Sequence, residues 1–114
     1  MKVKEVSFLI NKKVLGLIGL SAKAGKVSFG ADSVENGIRK KIVKLVIVAE
    51  DSSDRTKDKF ERICKEFHIP IIQIADIETL SKTIGKNNKA IIGIQDINLS
   101  KEIEKINNGG EAIG

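Results

Sequence analysis

The stretch KLVIVAEDSSDRTKDKFERICKEFHIPIIQIA, residues 44–75, holds two apolar segments on either side of a segment with helical spacing. In its opening KLVIVA, the five residues after Lys44 form an unbroken, largely β-branched apolar run, the pattern of a strand covered on both faces at the centre of a sheet. The serines after Asp51 offer an N-cap and Asp54 an acid for a first turn. Phe60, Ile63, Cys64 and Phe67 then recur at offsets of three, four and seven, so a helix with one buried face follows. Pro70 ends that helix and opens PIIQIA, a second strand.

The same reading extends outward from both ends. Upstream, KVSF makes a short strand before Gly30, and residues 32–40 read as a helix with Val34 and Ile38 facing inward, weakened by Gly37. Before it, Val14, Leu17, Ile18, Ser21 and Ala22 recur at helical spacing, with Asn11 as N-cap and Gly25 as the stop. Downstream, Asp76 caps a short helix carrying Ile77, Leu80 and Ile84 that ends at Gly85. KNNK turns the chain into the strand AIIGI, and Asn98 starts a last helix with Leu99, Ile103 and Ile106. Residues 107–114, NNGGEAIG, read as a flexible tail. Strands alternating with helices, without repeat or linker, predict one α/β domain over residues 1–114, a three-layer α/β/α sandwich.

Composition fits that architecture. A chain of 114 residues, 41% hydrophobic and 31% charged, can bury one core without disulfides or a structural metal. No apolar run reaches the roughly 20 residues of a spanning helix, and the apolar patch in MKVKEVSFLINKK is too short for a signal peptide. A cytoplasmic protein without membrane contact is expected. Cys64 is the single cysteine, so neither a disulfide framework nor a cysteine metal site can form within one chain. Residues 1–45 hold ten Lys and Arg against three acids, whereas the remainder holds ten against twelve. This asymmetry suggests a polyanionic partner; the plainer alternative is a lysine-rich surface that keeps the protein soluble.

The residues that suit a polyanion cluster around Gly30. A glycine lets the backbone approach a phosphate, and a helix starting just after it aims N–H groups and a positive dipole end outward. Lys23 and Lys26 flank it in sequence, with Arg39, Lys40 and Lys41 a few turns on. Ser33 and Asn36, three apart on one helix face, carry hydrogen-bonding groups for base edges or ribose hydroxyls. Asp32 reads chiefly as the helix N-cap, although its carboxylate can also accept from guanine N–H groups. Lys86, Asn87, Asn88 and Lys89 offer two cations and two amides in a tight turn, a second contact. With four Phe and no Trp or Tyr, stacking on an exposed aromatic platform is not expected, so recognition rests on shape and backbone. Rival constellations read as structural: Glu50 and Asp51 as loop acids, Asp54 as a dipole partner, His68 as a helix C-terminal cap, Cys64 as core. No catalytic group, metal site or cofactor is expected.

Three segments in order, FGADSVENGIRKKIVKLVIVAED, CKEFHIPII and LSKTIGKNNKAIIGI, resemble the kink-turn-binding ribosomal-protein family. That family comprises archaeal seven-Ae and eukaryotic thirty-e large-subunit proteins and small bacterial YlxQ-type members, and LGLIGLSAKAGKVSFG at the front is most similar to the bacterial branch. The resemblance, from about Leu15 to Ile94, implies an α/β/α sandwich around a four-stranded mixed sheet and RNA binding without catalysis. It further implies that a sharply bent RNA is read by two loops, here Gly30 to Asn36 and Lys86 to Lys89. Gly30 matches the family glycine, while Asp32, Ser33 and Asn36 stand where the family has asparagine, glutamate and lysine. The partner implied is a structured, kink-turn-like RNA, ribosomal or otherwise. An alternative is a translation-associated interaction or ribosome-assembly module that keeps the scaffold without the specific reading, making ribosome or assembly-factor contacts.

Overall fold

The computed structural model describes the backbone of residues 3–108 and the side chains of residues 8–108. The central strand is β2 (Leu45–Val48), all four of whose residues are buried. It pairs antiparallel with β4 (Ile91–Ile94), Val48 opposite Ile91 and Leu45 opposite Ile94, and parallel with β3 (Ile71–Gln73), Val46 opposite Ile71. The strand β1 (Val27–Phe29) pairs antiparallel with the other side of β4, which gives a four-stranded mixed sheet of order β1-β4-β2-β3.

The pleat explains why β2 is apolar without interruption. Leu45 and Ile47 point into a core with Val14, Ile18, Leu80 and Ile103, whereas Val46 and Val48 point into a second core with Val34, Ile38, Phe60 and Ile63. The first core is roofed by α1 (Val3–Lys23), α4 (Ile77–Thr83) and α5 (Ile97–Asn107), the second by α2 (Ala31–Arg39) and α3 (Asp54–Phe67). The three layers expected from the sequence are therefore present.

Local chemistry sets the helix ends. The Ser53 hydroxyl accepts the Thr56 N–H at 3.2 Å to start α3, and His68 closes it in the left-handed region at φ 57°. Gly25, at φ 71°, ends α1 while the Lys26 N–H donates to the Ser21 carbonyl at 3.0 Å. Two expected starts are corrected. The helix expected to begin at Asn11 begins by Val3, because no Gly or Pro interrupts residues 3–11 and one internal Asn costs only a few tenths of a kcal/mol, ~0.5. The last helix begins at Ile97 rather than Asn98, because the Asp96 carboxylate accepts the Leu99 N–H at 2.9 Å. Most of the expected tail, residues 109–114, lies outside the described residues.

Gly37 has a packing role that offsets its weak helix propensity. A Cβ there would stand 2.7 Å from Val43 Cγ2, and one at Gly93 2.8 Å from the same methyl. The two glycines open a slot for the buried Val43, which lets α2 lie close on β1 and β4. Among the described residues no helix is long and apolar enough to cross a membrane.

Candidate nucleic-acid interface

The strands β1, β2 and β3 share one direction, so their last residues and the first residue of β4 lie at one end of the sheet. Gly30 leaves β1 there at φ 91° and ψ 154°, a conformation that side chains rarely adopt, and donates its N–H to the Ile91 carbonyl at 2.9 Å. It is also the N-cap of α2, and no side chain caps that terminus. Asp32 is accordingly not the cap that the sequence suggests. The helix begins one residue earlier, at Ala31, which puts Asp32 in the first turn, exposed, where its charge complements the dipole. Ser33 and Asn36 are exposed on the same side of α2.

The second loop arrives at the same end. Asp51 Oδ1 accepts the Ile77 N–H and Asp76 Oδ1 the Thr79 N–H, each at 2.8 Å, so two carboxylates hold the start of α4. Bonds from the Thr79 hydroxyl and N–H keep the Asp76 carboxyl below the usual carboxylate range. After Gly85 the loop is fastened by the buried Ser81, whose hydroxyl accepts the Lys89 N–H at 2.7 Å and donates to the Lys89 carbonyl at 3.3 Å. Asn88 takes a left-handed φ of 52°. This brings Lys86 Nζ to 4.6 Å and Lys89 Nζ to 5.9 Å from the centre of the Phe29 ring. A Cβ on Gly30 would lie 3.8 Å from Lys89 Nζ. Two ammonium groups thus lie against one aromatic ring beside a helix terminus without a side-chain cap, and neither has an ion-pair partner among the described residues. Next to them a cleft of about 440 Å³ is lined by Asp51, Ile77, Ser81, Lys86, Asn87 and Asn88.

The model of the Ribosomal protein L7Ae/L30e/S12e/Gadd45 family matches residues 12–104. The chain belongs to that family. It is 31% identical over 98 residues to the RNA-binding protein YlxQ of Enterococcus faecium, covering 86% of this chain and 94% of that one. With the YlxQ of Bacillus subtilis it shares 32% over 80 residues, 70% of this chain and 80% of the relative. The large ribosomal subunit protein eL8 of Thermoplasma acidophilum is 26% identical over 84% of this chain and 80% of its own length. Among solved structures, a protein with unknown function from Bacillus halodurans C superposes with a TM-score of 0.81 at 29% identity, covering 84% of this chain and 97% of that one. The Giardia lamblia 15.5kD RNA binding protein shares the fold, with a TM-score of 0.74 at 18% identity over 92% of this chain and 90% of that one.

In this L7Ae/L30e/S12e/Gadd45-family chain the remaining cations stand apart from Gly30. Lys26 sits at the opposite end of β1, where its carbonyl accepts the Gln95 N–H at 2.9 Å, so proximity in sequence does not make it a flank. Lys23 ends α1 and faces Lys82, Thr83 and Gly85 across a cleft of about 350 Å³. Arg39 and Lys40 lie at the far end of α2, about 14 Å along its axis from Gly30. Arg39 is further committed to Glu35 at 3.0 Å and to the Phe67 ring at 5.6 Å. Lys59 and Arg39 hold the Glu35 carboxyl below the usual range. Sequence reasoning missed Phe29, Ser81 and Asp51 as builders of this end. Phe29 adjoins Gly30 and was within reach; the Ser81 and Asp51 bonds depend on how α4 docks. Among the rivals, Asp51 is engaged by α4, and burial pushes the Cys64 thiol up to about 11. No group of three or more His, Cys, Asp and Glu able to hold a metal occurs among the described residues.

Proposed function

We propose that this chain is a non-catalytic RNA-binding protein, one domain over residues 1–114, that grips a bent, structured RNA with the α2 tip and the loop of residues 86–89. The observation that carries the reading is the convergence of Lys86 and Lys89 on Phe29 beside Gly30. Two like charges held over one ring are relieved by an anion, and the uncapped α2 terminus beside them adds N–H groups and a positive dipole end. The class of anion comes from the relatives, two of which are RNA-binding proteins by name and one a ribosomal protein. In this reading Gly30 lets the backbone close on a phosphate, and Lys86 and Lys89 neutralise phosphates. Asn87 and Asn88 bond sugar or base, and Ser33 and Asn36 reach base edges in an opened groove. Asp32 accepts from guanine N–H groups.

A second reading, an interaction or assembly module of translation, is favoured by Asp32, Ser33 and Asn36, which differ from the asparagine, glutamate and lysine of the family resemblance. Such a module binds bent and straight RNA alike. The experiment is the variant Lys86→Gln/Lys89→Gln, titrated with a kink-turn RNA and with an unbent duplex of equal length. Loss of most of the affinity for the bent RNA, on the order of tenfold for two charge-assisted contacts, is expected. An unchanged affinity would remove the loop from the interface.

A further inference from the structure

A second group of lysines lies at the end of the sheet away from the proposed tip. Lys26 precedes β1 and Lys44 precedes β2, and both are tied to the end of β4: the Lys26 carbonyl accepts the Gln95 N–H at 2.9 Å, and the Lys44 N–H donates to the Ile94 carbonyl at 2.8 Å. They therefore flank β4 about 10 Å apart, two strand spacings. Lys40 and Lys41 complete the group on the turn between α2 and β2. That turn is rigid: the Ile42 and Val43 N–H groups both donate to the Gly37 carbonyl, at 2.8 and 3.1 Å, and Val43 is fully buried.

None of these four lysines has an ion-pair partner among the described residues. Acids are fewer here than lysines: Glu35 serves Arg39 and Lys59, which leaves Asp96, the cap of α5, and Glu66 in the last turn of α3, beside the Phe67 ring that faces Arg39. The tip, by contrast, mixes Lys86 and Lys89 with Asp32, Asp51 and Glu78. Moreover, Lys44 Nζ already bonds the Lys41 carbonyl at 2.9 Å, so Lys26, Lys40 and Lys41 are the exposed, available cations.

We infer that this end is a second polynucleotide-binding surface, which contacts the phosphate backbone without reading sequence and lets the protein hold two RNA segments at opposite ends of its sheet. Separate point charges on a pinned turn suit a repeating phosphate backbone. A protein partner would need a broad apolar centre, and the exposed large apolar side chains here are single residues on separate elements, Ile42 on the turn and Ile97 at the start of α5. The inference rests on the RNA reading for its ligand class and not on any preference of the tip for bent RNA.

The test is the variant Lys26→Gln/Lys40→Gln/Lys41→Asn, asparagine being tolerated at the Lys41 φ of 61°. Its binding to an unbent RNA duplex is measured across a salt series beside native protein and the tip variant, with melting curves confirming that each is folded. The expected result is a log-log salt slope shallower by about 2 to 3, near one per lost phosphate contact, with kink-turn preference retained. The tip variant should show the converse: preference lost, most of the duplex slope kept. An unchanged duplex affinity and slope in the triple-lysine variant would overturn the inference. So would displacement of the duplex by polyglutamate as readily as by RNA of equal charge. Failure of the tip alone shows as absent preference with the slope difference intact.

Discussion

Asn36 is exposed on the α2 side that also carries Asp32 and Ser33, so a longer cation there reaches toward whatever docks on the tip without disturbing the core. Asn36→Lys is expected to strengthen binding to a kink-turn RNA by about 1 to 2 kcal/mol while a duplex gains much less; equal gains would place Asn36 outside the specific contact. One residue away, Glu35 acts on stability rather than binding, bridging Lys59 and Arg39 at 3.0 Å each. Those partners lower its folded pKa, so its contribution is present above the unfolded value near 4 and is lost as pH falls through the folded one. Because the site is partly solvated, Glu35→Gln should cost no more than about 1 kcal/mol at pH 7. The gap between native and variant melting temperatures should close below about pH 4. A gap that widens in acid would mean that the pair is not what Glu35 contributes.

At the scale of elements, α2 owes its seat to two glycines that face one valine. Gly37→Ala should destabilise by about 1 to 3 kcal/mol through overpacking against Val43, despite the better helix propensity of alanine. In a Val43→Ala background, chemical denaturation should show that cost falling to near zero; an equal cost in both backgrounds would contradict the slot. Elements whose signals are local were legible in the sequence. The β-branched run marks β2, the spacing of Phe60 to Phe67 marks α3, and Asp76 caps α4 as its position suggests. The start of α1 was not legible, because nothing chemical separates Asn11 from the turns before it. The Asp32 cap failed for a related reason: glycine at φ 91° can itself serve as N-cap, and that depends on the path out of β1. Placement of the lysines was the least legible. Lys26 is four residues from Gly30 yet a full strand away, about 13 Å, while Lys89, remote in sequence, packs beside it. Which loops meet at a sheet end is fixed by strand order, a property of the whole fold.

The described residues form a sheet with a mixed-charge tip at one end and, at the other, lysines that have no ion-pair partner among those residues, and the two ends predict separable behaviours. A surface that merely attracts polyanions loses affinity with salt and does not distinguish RNA shapes. A tip that fits a bent backbone keeps its discrimination, because shape complementarity is not screened. The most direct measurement is therefore a titration of native protein with a kink-turn RNA and an unbent duplex at several salt concentrations. The account predicts a preference for the bent RNA that persists as both affinities fall; affinities that coincide at every salt would contradict it.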